Sequence, residues 1–168
     1  MASHRPATGD THTRQRTDRS HLAGAPLREG ERSLNRRSQR RLSDLLGEDF
    51  DLVCTGRVNL LLVGPDDVTR DVVDALRPGF RQPVIVAHPG EPLVLPPFEQ
   101  VETMVLHNVG AFGFADQIRL LEWLQGALGL TQVISTASRP LLPLINAGAF
   151  LDTLYYRLNS LYFEVTAR

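Results

Sequence analysis

The chain has 168 residues, 42% of them hydrophobic, and a formal net charge of −1, which fits one folded domain with a tail. All 18 basic residues are arginines, so every site that requires a lysine amine is excluded, including a phosphate-binding lysine and a Schiff base. A single cysteine, Cys54, excludes an internal disulfide and a cysteine-rich zinc site, and no apolar run reaches the length of a membrane span.

The first segment is polar and basic. Residues 1–33 are rich in arginine, threonine, glycine and proline, so they lack the apolar surface that would offset the entropy of ordering, and we expect disorder. Ten arginines against four acidic residues give residues 1–41 a charge of +6, and the remainder −7. No aromatic residues are interleaved with these arginines, which argues against nucleic-acid binding beyond a weak contact through the tail. We expect a basic tail at 1–33 and a folded domain at 34–168.

The folded part predicts alternating helices and strands. A helix is expected at 33–46, and the nearly all-apolar run 58–63 is typical of a buried parallel strand. Asp66 or Asp67 is expected to cap the helix that follows strand 58–63. The helix at 115–128 is expected to be amphipathic, with one apolar face toward the core. The further expected elements are, in chain order, strand 84–87, a proline-rich loop at 88–97, strand 103–107, helix 115–128 with Ile118, Leu121, Leu124 and Leu128 inward, strand 132–136, helices 141–147 and 151–158, and strand 161–165. This alternation predicts an α/β fold, a three-layer sandwich around a five-stranded parallel sheet.

One string is specific enough to indicate a family. Residues 148–159, GAFLDTLYYRLN, resemble the G-x-F-R-x-D-L-Y-Y-R-L-N signature of the sigma-54-dependent transcription activators, a branch of the AAA+ ATPases. Residues 98–100 are similar to the lead-in to that family's Walker B strand, Gln117 with the leucines that follow to its L-Q-x-x-L-L helix, and 133–139 to its sensor strand. The resemblance runs from about residue 42 to 165 and implies a minimal AAA+ core without the helical lid or the DNA-binding domain.

The resemblance also aligns the family's phosphate loop, G-E-x-G-T-G-K-E, with residues 64–71, GPDDVTRD. A phosphate cradle needs glycines so that backbone N–H groups converge on the anion, and of these only Gly64 is retained. Asp66 and Asp67 place negative charge where phosphates would lie. Arg70 stands at the lysine position, followed by Asp71, and we expect Arg70 to be an exposed helix residue.

The other nucleotide-site positions differ as well. The Walker B acids that hold magnesium and orient water are matched by His107 and Asn108, which are not acids. We expect His107 to be a part-buried structural histidine, because no second metal ligand follows at a suitable spacing. Ser138 matches the sensor asparagine. Leu151 replaces one arginine finger, and Arg157 matches the other, where we expect a structural ion pair.

Two neighbouring patterns need a separate interpretation. The family contacts sigma-54 through a G-A-F-T-G-A loop, and at the corresponding place this chain has only the short proline-rich segment 91–97. Residues 110–115, GAFGFA, have a similar sequence, but they follow the Walker B strand, so we interpret them as a turn. Residues 61–67 also resemble the start of a response-regulator receiver. That fold needs an aspartate where His107 stands and a lysine that the chain lacks.

Together these observations predict a catalytically inactive relative of sigma-54 activator cores, with no cofactor, in the cytoplasm and without membrane contact. Its expected role is a protein-interaction or regulatory module in signalling or transcription, with an AAA+ homologue or a second copy as partner. The alternative is a domain that binds ATP without hydrolysing it.

Overall fold

The computed structural model describes residues 47, 49, 52–53, 56–127 and 129–166. The expected basic tail, the expected helix at 33–46, Cys54 and Leu128 lie outside the described residues. Within the described ranges the longest helix has 13 residues, and none of the helices has the length and apolar character needed to cross a bilayer.

A single parallel sheet forms the centre of the described part of the chain. Its strands are β1 (Leu60–Val63), β2 (Val84–Ala87), β3 (Thr103–Leu106), β4 (Gln132–Ala137) and β5 (Leu161–Glu164). They lie in the order β2-β3-β4-β1-β5, and all four pairings are parallel. The expected five-stranded parallel sheet is confirmed, with strand ends within two residues of the expected positions, which is the usual uncertainty of such boundaries.

Helices cover both faces of this sheet. They are α1 (Asp66–Leu76), α2 (Phe114–Gly126), α3 (Leu142–Asn146) and α4 (Asp152–Leu158), with 3₁₀ turns at Arg77–Gly79, Phe98–Gln100 and Val109–Ala111. Side chains of β1 alternate between the two resulting cores: Leu60 and Leu62 pack with α1, and Leu61 and Val63 pack with α2 and α4. The three-layer sandwich is therefore confirmed.

Burial of β1 explains why its sequence is continuously apolar. Each of its four side chains is at most 3% exposed, because β1 lies between β4 and β5 and is covered on both faces. Full burial of one such side chain stabilises a fold by about 1.5–3 kcal/mol. A polar residue at any of these positions would lack both water and a partner, so the strand admits only apolar side chains.

The inward face of α2 differs from the expected one. Its buried residues are Gln117, Leu120 and Leu124, whereas Ile118, expected inward, is 40% exposed, and Leu121 is only half-buried. Hydrophobic periodicity selects leucine and isoleucine for the inward face and does not select a glutamine. In the structure the amide of Gln117 is fully hydrogen-bonded, so its burial carries little desolvation cost and rotates the helix accordingly.

Gln117 connects α2 to the segments before it and before α4. Its Nε2 donates to the carbonyls of Phe112 (2.9 Å) and Ala149 (3.0 Å), and its Oε1 accepts from the N–H of Leu151 (2.9 Å). Only 1% of this residue is exposed. A single side chain thus satisfies three backbone groups in two different loops and fixes how the segment 148–151 enters α4.

The connection from β2 to β3 contains a 3₁₀ turn but no α-helix. Its proline-rich part lies along α2: Nη2 of Arg119 donates to Leu93 O (3.1 Å) and Nε1 of Trp123 to Pro96 O (2.6 Å). Leu93 is 6% exposed and belongs to the core between the sheet and α2. The expected loop is confirmed, and its leucine covers sheet surface that a crossover helix would otherwise cover.

The end of β5 lies against the end of β1. The N–H of Val165 donates to Val63 O (2.8 Å), and the N–H of Gly64 donates to Ala137 O (3.0 Å). The carbonyl oxygen of Val165 is so close to Gly64 that a Cβ there would overlap it, with Cγ2 of Val165 at 2.8 Å from the same point. Because the obstacle is backbone on a buried strand end, this position accepts only glycine.

We predict that Gln117→Leu lowers the free energy of unfolding by about 3 kcal/mol, because three backbone groups lose their partner in a dry environment. Chemical denaturation of the full chain measures this. Gln125→Leu, an exposed glutamine on the same helix, is the control and should change stability by less than about 0.5 kcal/mol. Equal effects of the two substitutions would contradict the role given to Gln117.

We predict that Gly64→Ala destabilises the fold by at least about 2 kcal/mol, because the new methyl group overlaps the Val165 carbonyl. The matched control is Gly113→Ala, whose Cβ meets nothing nearer than Oδ2 of Asp116 at 4.0 Å and should change stability by less than about 1 kcal/mol. Thermal and chemical denaturation give both values. A fully stable Gly64→Ala protein would show that the β5 end does not confine this turn.

Candidate functional site

The carboxyl edge of the sheet is where the predicted site residues meet. The chain leaves β1 toward α1 on one face and leaves β4 toward α3 and α4 on the other, and β1 and β4 are neighbours. Such a reversal opens a crevice beyond the carboxyl ends of the two strands, where open α/β sheets bind ligands. Gly64, Asn108 and Ser138 all lie at this edge, since they follow β1, β3 and β4 respectively.

The turn between β1 and α1 consists of two residues. Gly64 and Pro65 separate Val63, the last residue of β1, from Asp66, the first of α1. The N–H of Thr69 donates to Pro65 O (2.9 Å), so helical hydrogen bonding starts immediately after the strand. The N-cap residue is Pro65 and makes no side-chain cap, which corrects the expectation that Asp66 or Asp67 caps this helix.

The two aspartates belong to the first helical turn instead. Both are exposed, and a carboxylate in the first turn of a helix interacts favourably with the partial positive charge of the free N–H groups. A proline fits before them because it has no N–H to satisfy and its φ of −52° leads directly into the helix. The chain therefore places its own carboxylates beside the helix amides that face the crevice.

His107 lies at the end of β3 and is stacked on His88 at the end of β2. The two rings are nearly parallel, with centroids 4.7 Å apart and an interplanar angle of 7°. The strands put them side by side, because Ala87 pairs with Leu106 in register. The part-buried position expected for His107 is confirmed, and its main ring partner is another histidine.

Arg70 is exposed on α1, as expected, and its charge acts on His107. Partial burial, followed by the nearby charges of His88 and Arg70, lowers the pKa of His107 below its ordinary value, and Asp74 opposes this only weakly. His107 is consequently a neutral imidazole near pH 7. Asp71 lies exposed on the same helix.

Asn108 occupies a left-handed backbone conformation, with φ 46° and ψ 58°. Its N–H donates to Oγ1 of Thr136 (2.8 Å), and its Oδ1 accepts from the N–H (3.3 Å) and the Oγ (3.2 Å) of Ser138. Asparagine is one of the few side chains that tolerate this conformation, and the bonds across to β4 hold it there. The structure thus brings Asn108 and Ser138 into direct contact.

Arg157 does not lie at this edge. It belongs to the last turn of α4, where its carbonyl oxygen accepts from Nδ2 of Asn59 (2.8 Å) just before β1, at the amino edge of the sheet. The expected ion pair is not formed: among the described residues no carboxylate lies within salt-bridge distance of Arg157. Four of the seven predicted site residues therefore follow strand ends at the carboxyl edge, Arg70 and Asp71 lie on α1, and Arg157 lies at the opposite edge.

Sequence reasoning missed two residues of this edge. His88 was assigned to a loop, although a histidine immediately after β2 and another immediately after β3 are placed side by side by parallel pairing. Thr136 was read only as part of a strand, yet its hydroxyl holds the backbone of Asn108. The position of His88 could have been predicted, because each histidine directly follows a strand. Nothing in the sequence indicates the role of Thr136.

The chemical groups at this edge are two imidazoles, an amide, a hydroxyl, and guanidinium and carboxylate groups on α1. Magnesium prefers oxygen ligands such as carboxylates, and the two residues that follow β3 are His107 and Asn108. Among the residues that the structure describes, no three His, Cys, Asp or Glu side chains are grouped so as to hold a metal ion.

Comparison with known proteins identifies the fold. The sequence matches no protein-family model and no curated protein. Solved structures do match: NtrX from Brucella abortus in complex with ADP, with a TM-score of 0.60 and 16% identity over 77% of this chain, and the same protein in complex with ATP, with a TM-score of 0.61 and 15% identity. The P-loop NTPase domain of the sigma-54 transport activator from E. coli matches with a TM-score of 0.50 and 15% identity over 80% of this chain.

The extent of these matches differs. This chain covers 36% and 37% of the two NtrX chains, so it spans little more than a third of their length, but it covers 96% of the E. coli domain. The architecture expected from the motif at 148–159 is therefore confirmed, with no lid among the described residues. The described part of this chain has an α/β fold like that of the P-loop NTPase domain of the sigma-54 activator.

Proposed function

We propose that this chain is a catalytically inactive AAA+ core that acts as a protein-interaction or regulatory module, in signalling or transcription. The observation that carries the proposal is the two-residue turn between β1 and α1. In the fold's nucleotide-binding members this connection is a longer glycine-rich loop whose N–H groups surround the phosphates. A cytoplasmic location is part of the same proposal.

Backbone donors are missing from this turn. The N–H of Gly64 is already bonded to Ala137 O (3.0 Å), and Pro65 has no N–H. A nest for an anion needs several successive N–H groups pointing to one centre. Because the helix starts at Asp66, no further loop residues are left to form such a nest, and the carbonyl oxygen of Val165 lies over Gly64.

Charge at the turn acts in the same direction. Asp66 and Asp67 are exposed carboxylates on the first helical turn, where a bound triphosphate would need to approach. Two unit charges about 4 Å apart repel by roughly 1 kcal/mol even in bulk water, and by more at a protein surface. Arg70 is the remaining cation at the position that resembles the phosphate-binding lysine, and one guanidinium does not offset two carboxylates.

The end of β3 also lacks the groups for hydrolysis. Phosphoryl transfer in P-loop enzymes uses an acid to hold the magnesium shell and another group to orient water. Here His107 is a neutral imidazole stacked on His88, and Asn108 is engaged with Thr136 and Ser138. Neither residue supplies a negative charge for a hard cation.

A role in protein binding is supported by what the chain retains. Most of the buried residues in the described part of the chain are apolar and none is charged, which supports an intact core beneath an altered edge. Several large apolar side chains are exposed, and we propose that some of them belong to an interaction surface. The exposed side chains include Phe114 (54%), Tyr156 (73%), Val94, Ile118 and Leu142. We propose a protein partner, either a second copy of this chain or another AAA+ protein.

We predict that the full chain neither binds nor hydrolyses ATP. Isothermal titration with ATP and magnesium should give no binding heat, thermal unfolding should not shift at millimolar nucleotide, and released phosphate should not exceed the buffer background. A shift of several degrees without phosphate release would instead establish the alternative, nucleotide binding without hydrolysis. Phosphate release by the pure protein would contradict the proposal outright.

The control for this experiment separates charge from turn length. Asp66→Asn together with Asp67→Asn removes the two carboxylates but leaves the turn at two residues, so we expect ATP still not to bind. Binding by this double variant alone would mean that repulsion, and not the missing N–H groups, keeps nucleotide out.

We predict that the tagged full chain captures one protein partner at near-stoichiometric amounts from cells of its source. A version without residues 1–41 should capture the same partner, because the exposed apolar side chains belong to the folded core. Quantitative mass spectrometry against a tag-only control measures this. Recovery of no partner by either version would count against an interaction module.

A further inference from the structure

A second candidate site lies at the amino edge of the sheet, opposite the crevice described above. A cavity of about 340 Å³ opens there between the residues that precede β1, β4 and β5 and the ends of α2 and α4. Cavities of this size suit a small ligand or one or two side chains of another protein. Its lining includes Leu124, Ala127, Tyr156, Arg157 and Ser160.

Arg157 is the unusual feature of this cavity. Its residue is partly buried, yet its guanidinium makes no hydrogen bond and no ion pair within the described residues, and only its backbone carbonyl has a partner. A guanidinium offers five N–H donors in a planar fork that matches a carboxylate. The N–H donors of this guanidinium are therefore available to bind an anion.

The second arginine of the cavity is already neutralised. Nη2 of Arg57 donates to Oε2 of Glu102 (2.7 Å), and its Nη1 donates to the carbonyls of Gly129 (3.2 Å) and Leu130 (2.7 Å). Arg57 therefore has a structural role in the lining of the cavity. Arg157 supplies the positive charge that is available to a ligand. The cavity is suited to one negative charge and not to a polyanion.

The remaining lining favours a carboxylate attached to an apolar group. Leu124 and Ala127 line the cavity but are only 5% and 2% exposed, so the apolar group that a ligand can reach is the ring of Tyr156, which is 73% exposed. Tyrosine and arginine are the side chains most enriched where protein interfaces bind tightly. An aspartate or glutamate next to a large apolar residue would place its charge on Arg157 and its apolar neighbour against the ring of Tyr156.

We propose that this cavity binds an acidic side chain of a partner protein at Arg157, with the adjacent apolar side chain of the partner against the ring of Tyr156. The inference rests on the proposed function as an interaction module and names the surface and the chemistry by which that module recognises its partner. Since the cavity lies at the opposite edge from Gly64 and Asn108, it does not use the crevice at the carboxyl edge.

The test uses two peptides that differ in one group. The full ¹⁵N-labelled chain is titrated with acetyl-Phe-Glu-amide and, separately, with acetyl-Phe-Gln-amide, and the backbone amide signals of Thr131, Tyr156 and Ser160 are followed by NMR. We expect the glutamate peptide to shift these signals and to bind at least about tenfold more tightly, because a charge-assisted bond replaces a neutral one.

Two variants locate the effect. Arg157→Gln should reduce binding of the glutamate peptide at least about tenfold, to the level of the glutamine peptide. Arg139→Gln, which changes an exposed arginine that follows β4 at the other edge, should leave it unchanged. Thermal unfolding of both variants verifies that they are folded, and the peptide comparison on the unmodified chain does not depend on either.

Three results would overturn the proposal: equal affinity for the two peptides, no shift of the cavity signals up to about 10 mM peptide, or undiminished binding by Arg157→Gln. Phosphate release and ATP titration are measured on the same sample. A chain that binds the glutamate peptide and also hydrolyses ATP would refute the inactive core and leave the cavity assignment standing, whereas a chain that does neither would refute only the cavity assignment.

Discussion

The contact between the carbonyl of Val165 and Gly64 is the constraint on which the carboxyl edge depends. It exists because β1 is bonded on one side to β4 and on the other to β5, so the chain can leave β1 only past the backbone of both neighbours. A residue with a side chain does not fit at that exit. Once the chain has passed it, Pro65 directs the backbone straight into α1.

The chemistry of this edge follows from that short exit. With the helix starting at Asp66, its free amides are accompanied by carboxylates of the same chain, and the neighbouring strand ends present His88, His107 and Asn108. Asn108 and Ser138 bond to each other, and the N–H of Asn108 bonds to Thr136. Several polar groups of this edge are therefore hydrogen-bonded within the chain itself.

Most of the fold could be predicted from the sequence, because continuous apolar runs such as Leu60–Val63 are typical of a buried parallel strand. The face of α2 could not, since hydrophobic periodicity does not select a glutamine for the inward face, whereas Gln117 is buried through three bonds to backbone groups. The site was predicted in part. Motif alignment located the strand ends correctly, but the stacking of His88 depends on strand register and the placement of Arg157 on tertiary packing, neither of which a motif encodes.

The helix-free connection between β2 and β3 has a practical consequence for anyone who wishes to label this protein. Its buried residue, Leu93, and its bonds to Arg119 and Trp123 all lie after Gly90 and Glu91, which are exposed at the start of the loop. Gly90 has open space around its Cα, so extra chain inserted there would extend into solvent. A fluorophore or a short epitope inserted at Gly90 would label the protein without contacting either hydrophobic core or the residues at either edge of the sheet.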